Sequence, residues 1–358
     1  MIKTRKNGTL GKKSLFGSPY PLKENFGWFK RLICGPSTNN SGNVHYLSKS
    51  TVLNKITPKY TISFIGDIMD LNLRDLVISD NVKHFIEGSD FLIGNFEATL
   101  TSEKKLINSK RHKPQIMDAL ASVFNPKKTY LSTANNHSAD FGETNFSESV
   151  TQLKKRGFNV FGTEKNPFVD LAEDLRVIGC TQWSNHPCDY LVSIEDSSQY
   201  LKDDTFNLLF PHWGYEMELY PRMETIKQGK ELLNKFDAII GHHSHNPQPV
   251  SFFPFDSDNK LIVYSLGDFC DGKEFEMHNY GILLKIEIGT DAKGRWLIGK
   301  CEWTFLKTLS VSETEFIVDI ADNFSDFVFN YKSLYKNDKV EEILYESSIE
   351  MEQVVVCV

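Results

Sequence analysis

The stretch Gly241-His242-His243-Ser244-His245 constrains this chain more than any other. It follows the apolar run Ala238-Ile239-Ile240, which reads as the end of a buried strand. Imidazoles two residues apart at a strand end can be aimed at one point, and neutral imidazole is the commonest metal ligand. The chain holds ten His, and three fall in these five positions. A polar turn with incidental His would explain one such cluster, but four others follow strand-like runs. Gly66-Asp67 follows 60–65, and Gly94-Asn95-Phe96-Glu97 follows 91–93. Ala134-Asn135-Asn136-His137, with Asp140, follows 129–131, and Pro211-His212-Trp213-Gly214 follows 206–210. Asp and Asn also cap helices and build turns. A succession of strand ends carrying carboxylate, amide and imidazole instead suits a divalent Mn, Zn or Fe site where strands give way to loops.

In this order the motifs resemble the CapA family of poly-γ-glutamate capsule biosynthesis proteins, which have a calcineurin-like metallophosphoesterase fold. Gly162-Thr163, Gln248-Pro249 and Tyr264-Ser265-Leu266-Gly267-Asp268-Phe269 extend the likeness, the last with Asp where the family has Asn. The resemblance covers about residues 60–285. It implies an α/β, metallophosphoesterase-like four-layer sandwich, two mixed β-sheets flanked by helices. It also implies a ligand set of Asp67, Glu97, Asn136, His212, His243 and His245 for one or two divalent ions. His137 is expected to protonate a leaving oxygen, with Asp140 orienting its ring, and His242 to pack or hydrogen-bond behind its neighbours. Two departures from the wider phosphoesterase pattern stand out. Met69 occupies the third position of the usual Asp-X-His, and Glu97 is the only carboxylate of the second motif. Thioether is a poor ligand for such ions, so one metal position is expected to be short of a ligand.

Strands are expected near 60–66, 90–94, 129–133, 158–161, 174–180, 206–210, 236–240 and 261–265, with helices over 71–87, 113–122, 143–156 and 221–235. Alternation of this kind implies sheets covered by helices. Residues 280–288 and 296–305 read as antiparallel strands around a turn at 291–294. From 312 to 345 Phe316, Ile317, Ile320, Phe324, Phe327 and Val328 recur at helical spacing, predicting a helical extension.

The organisation expected is therefore a basic arm (1–58), a globular body (59–310) and a C-terminal extension (311–358). Residues 1–60 hold eleven Lys or Arg and one acid, Glu24. A formal +10 there leaves about −17 for the rest of a chain whose net charge is −7. Such an arm, rich in Gly, Ser and Asn, reads either as a solvated extension or as a tether to an anionic membrane surface or acidic protein. Its Tyr20-Pro21-Leu22 and Phe26-Gly27-Trp28-Phe29 segments are suited to docking on the body. No nucleic-acid-binding motif is present. No apolar run reaches the roughly 18 residues of a membrane span, and no secretory segment is seen before Tyr60, so a cytoplasmic, at most membrane-peripheral, protein is expected. Six scattered Cys without a C-x-x-C pair suggest reduced thiols.

Three functions fit these readings. One is CapA-like participation in the synthesis, release or export of an anionic capsular polymer. The second is a metal-dependent phosphoesterase, and the third a non-catalytic scaffold of the same fold.

Overall fold

A computed structural model describes residues 18–36, 49–104, 108–273 and 279–321. Strands that read as continuous apolar runs are buried on both faces, and neighbouring residues serve different layers. Phe64 and Ile93 of one sheet, with Leu208 and Phe210 of the other, join one cluster between the sheets. Leu92, Leu131 and Leu153 pack in a second cluster, and Leu209, Trp213, Ile226 and Ile239 in a third. The second cluster sits under the helices Asp80–Ile86, Ile116–Val123 and Gly142–Arg156, the third under Met223–Leu233. The result is the four-layer sandwich, helices outside and two mixed sheets within.

The larger sheet has ten strands. Its centre runs Tyr280–Thr290, Thr57–Ile68, Phe91–Phe96, Thr129–Ser132 and Asn159–Phe161, the last four parallel. The six-stranded sheet has Leu175–Thr181, Phe206–His212 and Ala238–Ile240 parallel at its centre. Gly157, at φ 105°, ends the helix Gly142–Arg156, whose last turn carries Lys154, Lys155 and Arg156 as its negative end favours. The strands Tyr280–Thr290 and Trp296–Ser310 pair antiparallel around the expected turn.

Two helical expectations are corrected over part of their described length. Within 71–87, Asp75–Ile78 is a strand, and a helix runs only from Asp80 to Ile86, with the Ser79 hydroxyl accepting from the Val82 N–H. Within 312–345, Glu315–Ile320 is a strand, paired with both Trp296–Ser310 and Asp75–Ile78. Phe316 and Val318 are buried while Ile317 is not, a period of two that a short apolar run shares with a helical stripe. Phe324, Phe327 and Val328 lie outside the described residues. Other strands also escaped the sequence reading: Lys49–Val52, Thr99–Leu100, Arg111–His112, Phe168–Ala172, Val250–Phe255 and Asp268–Cys270.

The segment read as an arm contains two pieces joined to the body. Lys49–Val52 pairs with Trp296–Ser310, and a helix, Leu22–Cys34, bonds through Trp28 and Arg31 to the body residue Glu216. No helix among the described residues is long and apolar enough to cross a membrane.

Candidate metal centre

The carboxyl ends of the parallel strands of both sheets deliver the site. Asp67 lies near the end of Thr57–Ile68, and in register it faces Asn95 on one side and Asp268 on the other. The approach of Asp268 requires glycine at 66, since a Cβ there would stand 1.9 Å from the Gly267 carbonyl oxygen. Glu97 follows Phe91–Phe96, Asn136 follows Thr129–Ser132, and His212 ends Phe206–His212. His242, His243 and His245 follow Ala238–Ile240. His243 and His245 have φ values of 103° and 54°, a region costly for side-chain-bearing residues and found where function over-determines the backbone.

All these side chains are buried. Asp67 Oδ1 lies 3.2 Å from His242 Nδ1 and accepts from Asn95 Nδ2 at 2.8 Å. Its Oδ2 accepts from the His243 backbone N–H at 3.0 Å. His212 Nε2 is 2.8 Å from Asn136 Oδ1 and 3.4 Å from Glu97 Oε1. His212 Nδ1 is 2.7 Å from His242 Nδ1. His245 Nδ1 is 2.8 Å from Asp268 Oδ1, and its Nε2 is 3.8 Å from Glu97 Oε1. Four overlapping triads among the described residues have their ligand atoms within 4.8 Å of one another. They are Asp67–His212–His242, Glu97–His212–His243, Glu216–His243–His245 and Asp67–Glu97–His245.

Four buried atoms here have no hydrogen-bond partner: Glu97 Oε1, His242 Nε2, His243 Nδ1 and Asp268 Oδ2. An unsatisfied buried polar atom costs about 1–3 kcal/mol, so several clustered together point to a missing ligand. The protonation states agree. Burial, then the neighbouring His243, His242 and His245, holds His212 well below the ordinary histidine range. Burial drives His243 down to about 3 and His245 well below the usual value. Neutral imidazole is the form that ligates. Burial would raise Asp67, but His242, His245 and Asn95 hold it well below the carboxylate range. Burial and then Asp67, Asp268 and Glu216 push Glu97 well up, a crowding of acids that a divalent cation would reverse. The donor set of carboxylate oxygen and imidazole nitrogen therefore fits a borderline divalent ion.

His137 and Asp140 form a second unit, with Nδ1 to Oδ2 at 2.7 Å and Asn185 Nδ2 3.1 Å from the same nitrogen. His137 lines a cleft of about 330 Å³ together with Met69, Asn136, Asn185, His245 and Lys273. Met69 is thus part of the cleft wall.

Residues 18–34 close one side of this centre. Tyr20 Oη is 2.7 Å from His243 Nε2 and accepts from the Glu216 N–H. Trp28 Nε1 donates to Glu216 Oε2 at 2.6 Å. Arg31 donates to the Glu216 carbonyl oxygen and lies 3.3 Å from Glu218.

The sequence reading did not name Glu216, Asn185 or Tyr20 for this centre, and it set His242 behind its neighbours. His242 does hydrogen-bond there, yet it also completes a triad with Asp67 and His212. Glu216 carried one signal, an acid four residues beyond His212 in a loop of aromatics and Met.

The family model described as "Bacterial capsule synthesis protein PGA_cap" matches residues 61–178 and 182–273. "PGA biosynthesis protein CapA" of Bacillus subtilis (strain 168) is 22% identical over 266 residues, spanning 65% of this chain and 69% of that one. "Capsule biosynthesis protein CapA" of Bacillus anthracis is 25% identical over 251 residues, spanning 59% of each chain. The crystal structure of a hypothetical protein from Thermus thermophilus overlays with a TM-score of 0.41 at 13% identity, over 68% of this chain and 98% of that one.

Proposed function

Because the chain belongs to the bacterial capsule synthesis protein PGA_cap family, we propose that it acts in the synthesis, release or export of an anionic capsular polymer, poly-γ-glutamate first among candidates. The observation that carries this reading is the buried convergence of Asp67, Glu97, His212, His242, His243 and His245 with orphaned ligand atoms among them. Asp67, Glu97, Asn136, His212, His243 and His245 would hold one or two ions of Mn, Zn or Fe. A divalent ion supplies Lewis-acid polarisation of a carbonyl or phosphoryl oxygen and attraction for a polyanion.

The remaining roles fall to the chain itself. His137 donates a proton to a leaving oxygen, while Asp140 and Asn185, at 2.7 and 3.1 Å from Nδ1, orient its ring. Lys273 and Lys110, both on the cleft lining, attract carboxylate groups of a substrate. The Tyr20–Trp28–Arg31 contacts exclude water from the side of His243 and Glu216.

The test is complementation of a host whose own copy of the gene is deleted. Asp67→Ala and His245→Ala should abolish capsular polymer although the proteins accumulate normally; polymer at the wild-type level would refute the proposal. The same His137–Asp140 pair would equally serve phosphoester hydrolysis. That second reading requires turnover of bis-p-nitrophenyl phosphate at roughly 10 s⁻¹, typical of a dedicated enzyme. With Met69 in place of a ligating His, near-background turnover is expected instead.

A further inference from the structure

We propose that the outer face of the helix Leu22–Cys34 is a docking surface for an anionic lipid bilayer. Leu22, Phe26, Phe29 and Ile33 are 56, 74, 57 and 58% exposed. Their spacing of four, three and four residues places them in one stripe along the helix. Among the described residues these four are half of the exposed large apolar side chains and include every exposed Phe. Folding normally buries such a stripe against the body, but here the body holds the opposite face. Arg31 is buried against Glu216 and Glu218, and Trp28 is bonded to Glu216. The stripe is therefore left outward by a helix that is already anchored.

Charge decides between occupants. Lys23 and Lys30 are exposed on one flank of the stripe. Before Glu24 the sequence carries Lys3, Arg5, Lys6, Lys12, Lys13 and Lys23 and no acid. A second copy seated stripe to stripe would bring Lys23 and Lys30 of each copy together, whereas an anionic headgroup layer attracts them while its acyl boundary takes the Phe rings. An apolar face rimmed by Lys is the pattern of a helix lying in the plane of an interface. Trp28 and Leu32 of the same helix line the cleft, so a bilayer on the stripe lies about one helix diameter, roughly 10 Å, from the cleft wall. The proposal does not depend on how the metal centre is read.

The test is co-sedimentation of the full chain with vesicles. Vesicles of phosphatidylcholine mixed with phosphatidylglycerol should bind the protein, with binding weakened by salt, and phosphatidylcholine alone should bind it poorly. Phe26→Ser with Phe29→Ser should weaken partitioning roughly tenfold or more. Lys23→Gln with Lys30→Gln should weaken it and flatten its salt dependence. Hydrogen exchange of the wild-type chain should slow on mixed vesicles in the peptide covering 22–34, a readout that needs no variant to fold. Absence of vesicle binding, equal binding to neutral vesicles, or no effect of the Phe substitutions would overturn the proposal. So would sedimentation equilibrium showing a dimer that the Phe substitutions abolish.

Discussion

His212 is asked to satisfy more neighbours than a two-nitrogen ring can. Its Nε2 faces Asn136 Oδ1 and Glu97 Oε1, and its Nδ1 faces His242 Nδ1 and Asn95 Nδ2. One proton on each imidazole leaves Glu97 Oε1 orphaned, whereas an ion between Glu97 and the rings would satisfy the remaining lone pairs. His245→Ala should therefore lower metal affinity at least tenfold, more than loss of an outer hydrogen-bond partner does, in equilibrium titration of the chelated protein. A gentler steric test lies at Gly241, where an added Cβ would meet both Trp213 Nε1 and the Tyr264 carbonyl oxygen at 2.3 Å. Gly241→Ala should cost about 2 kcal/mol or more in urea unfolding and disturb the turn that aims the three His. An unchanged midpoint would mean the turn is not tightly constrained. The ligand-bearing residues were legible in the sequence because each sits at or just beyond the end of an apolar strand. Glu216 and Tyr20 were not, because Glu216 stands four residues past the end of its strand and Tyr20 follows none among the described residues, and only tertiary packing carries them to His243.

Among the secondary elements, the N-terminal helix is the one whose role the sequence most understated. Gly, Ser and Asn around it gave the segment a linker's composition, and its one acid, Glu24, gave no hint of a clasp. In the structure Glu24 receives Arg222 and Arg31, and Arg222 also holds Glu218. Arg222 and Arg31 keep Glu24 below the usual carboxylate range despite a burial cost that acts the other way. Deleting residues 1–36 would strip Glu218 of one partner and the Glu216 carbonyl and N–H of theirs. A loss of about 3 kcal/mol follows, and a thermal midpoint lower by roughly 5–10 °C. A truncated chain that melts with the full-length protein would show the helix to be a passive appendage. The strands Asp75–Ile78 and Glu315–Ile320 teach a different lesson. Each is short, apolar and flanked by polar residues, and over six residues or fewer a period of two and a helical stripe are hard to separate. Their pairing with one another is set by the sheet and has no local signature.

For the molecule as a whole, the ordered strand ends made helix-covered sheets readable, because buried parallel strands demand apolar runs and their loops gather polar residues at one edge, while the four layers were implied by the family resemblance that those ends carry. That edge also sets the response to acid. His243, at about 3, and His212 and His245, also lowered, stay neutral in the folded chain while the unfolded chain takes up protons near 6.5. The stability they contribute is complete above about 6.5 and is lost as pH falls toward 3. Glu97 acts in the opposite sense: raised in the fold, it favours the folded chain below its ordinary range and penalises it as pH rises. In the metal-free protein, His243→Gln should therefore shrink the fall in melting temperature between pH 6.5 and 4. An equal or larger fall would show that His243 is not held neutral.

The claim on which the rest depends is that the two sheets meet around a divalent-metal centre. Elemental analysis of the full chain, purified and then reconstituted with Mn, Zn or Fe and desalted, tests it most directly. The account predicts between one and two ions per chain, falling to background in Asp67→Ala and His245→Ala proteins whose melting stays cooperative. Substoichiometric metal in the wild type, or equal loading of wild type and both variants, would contradict it.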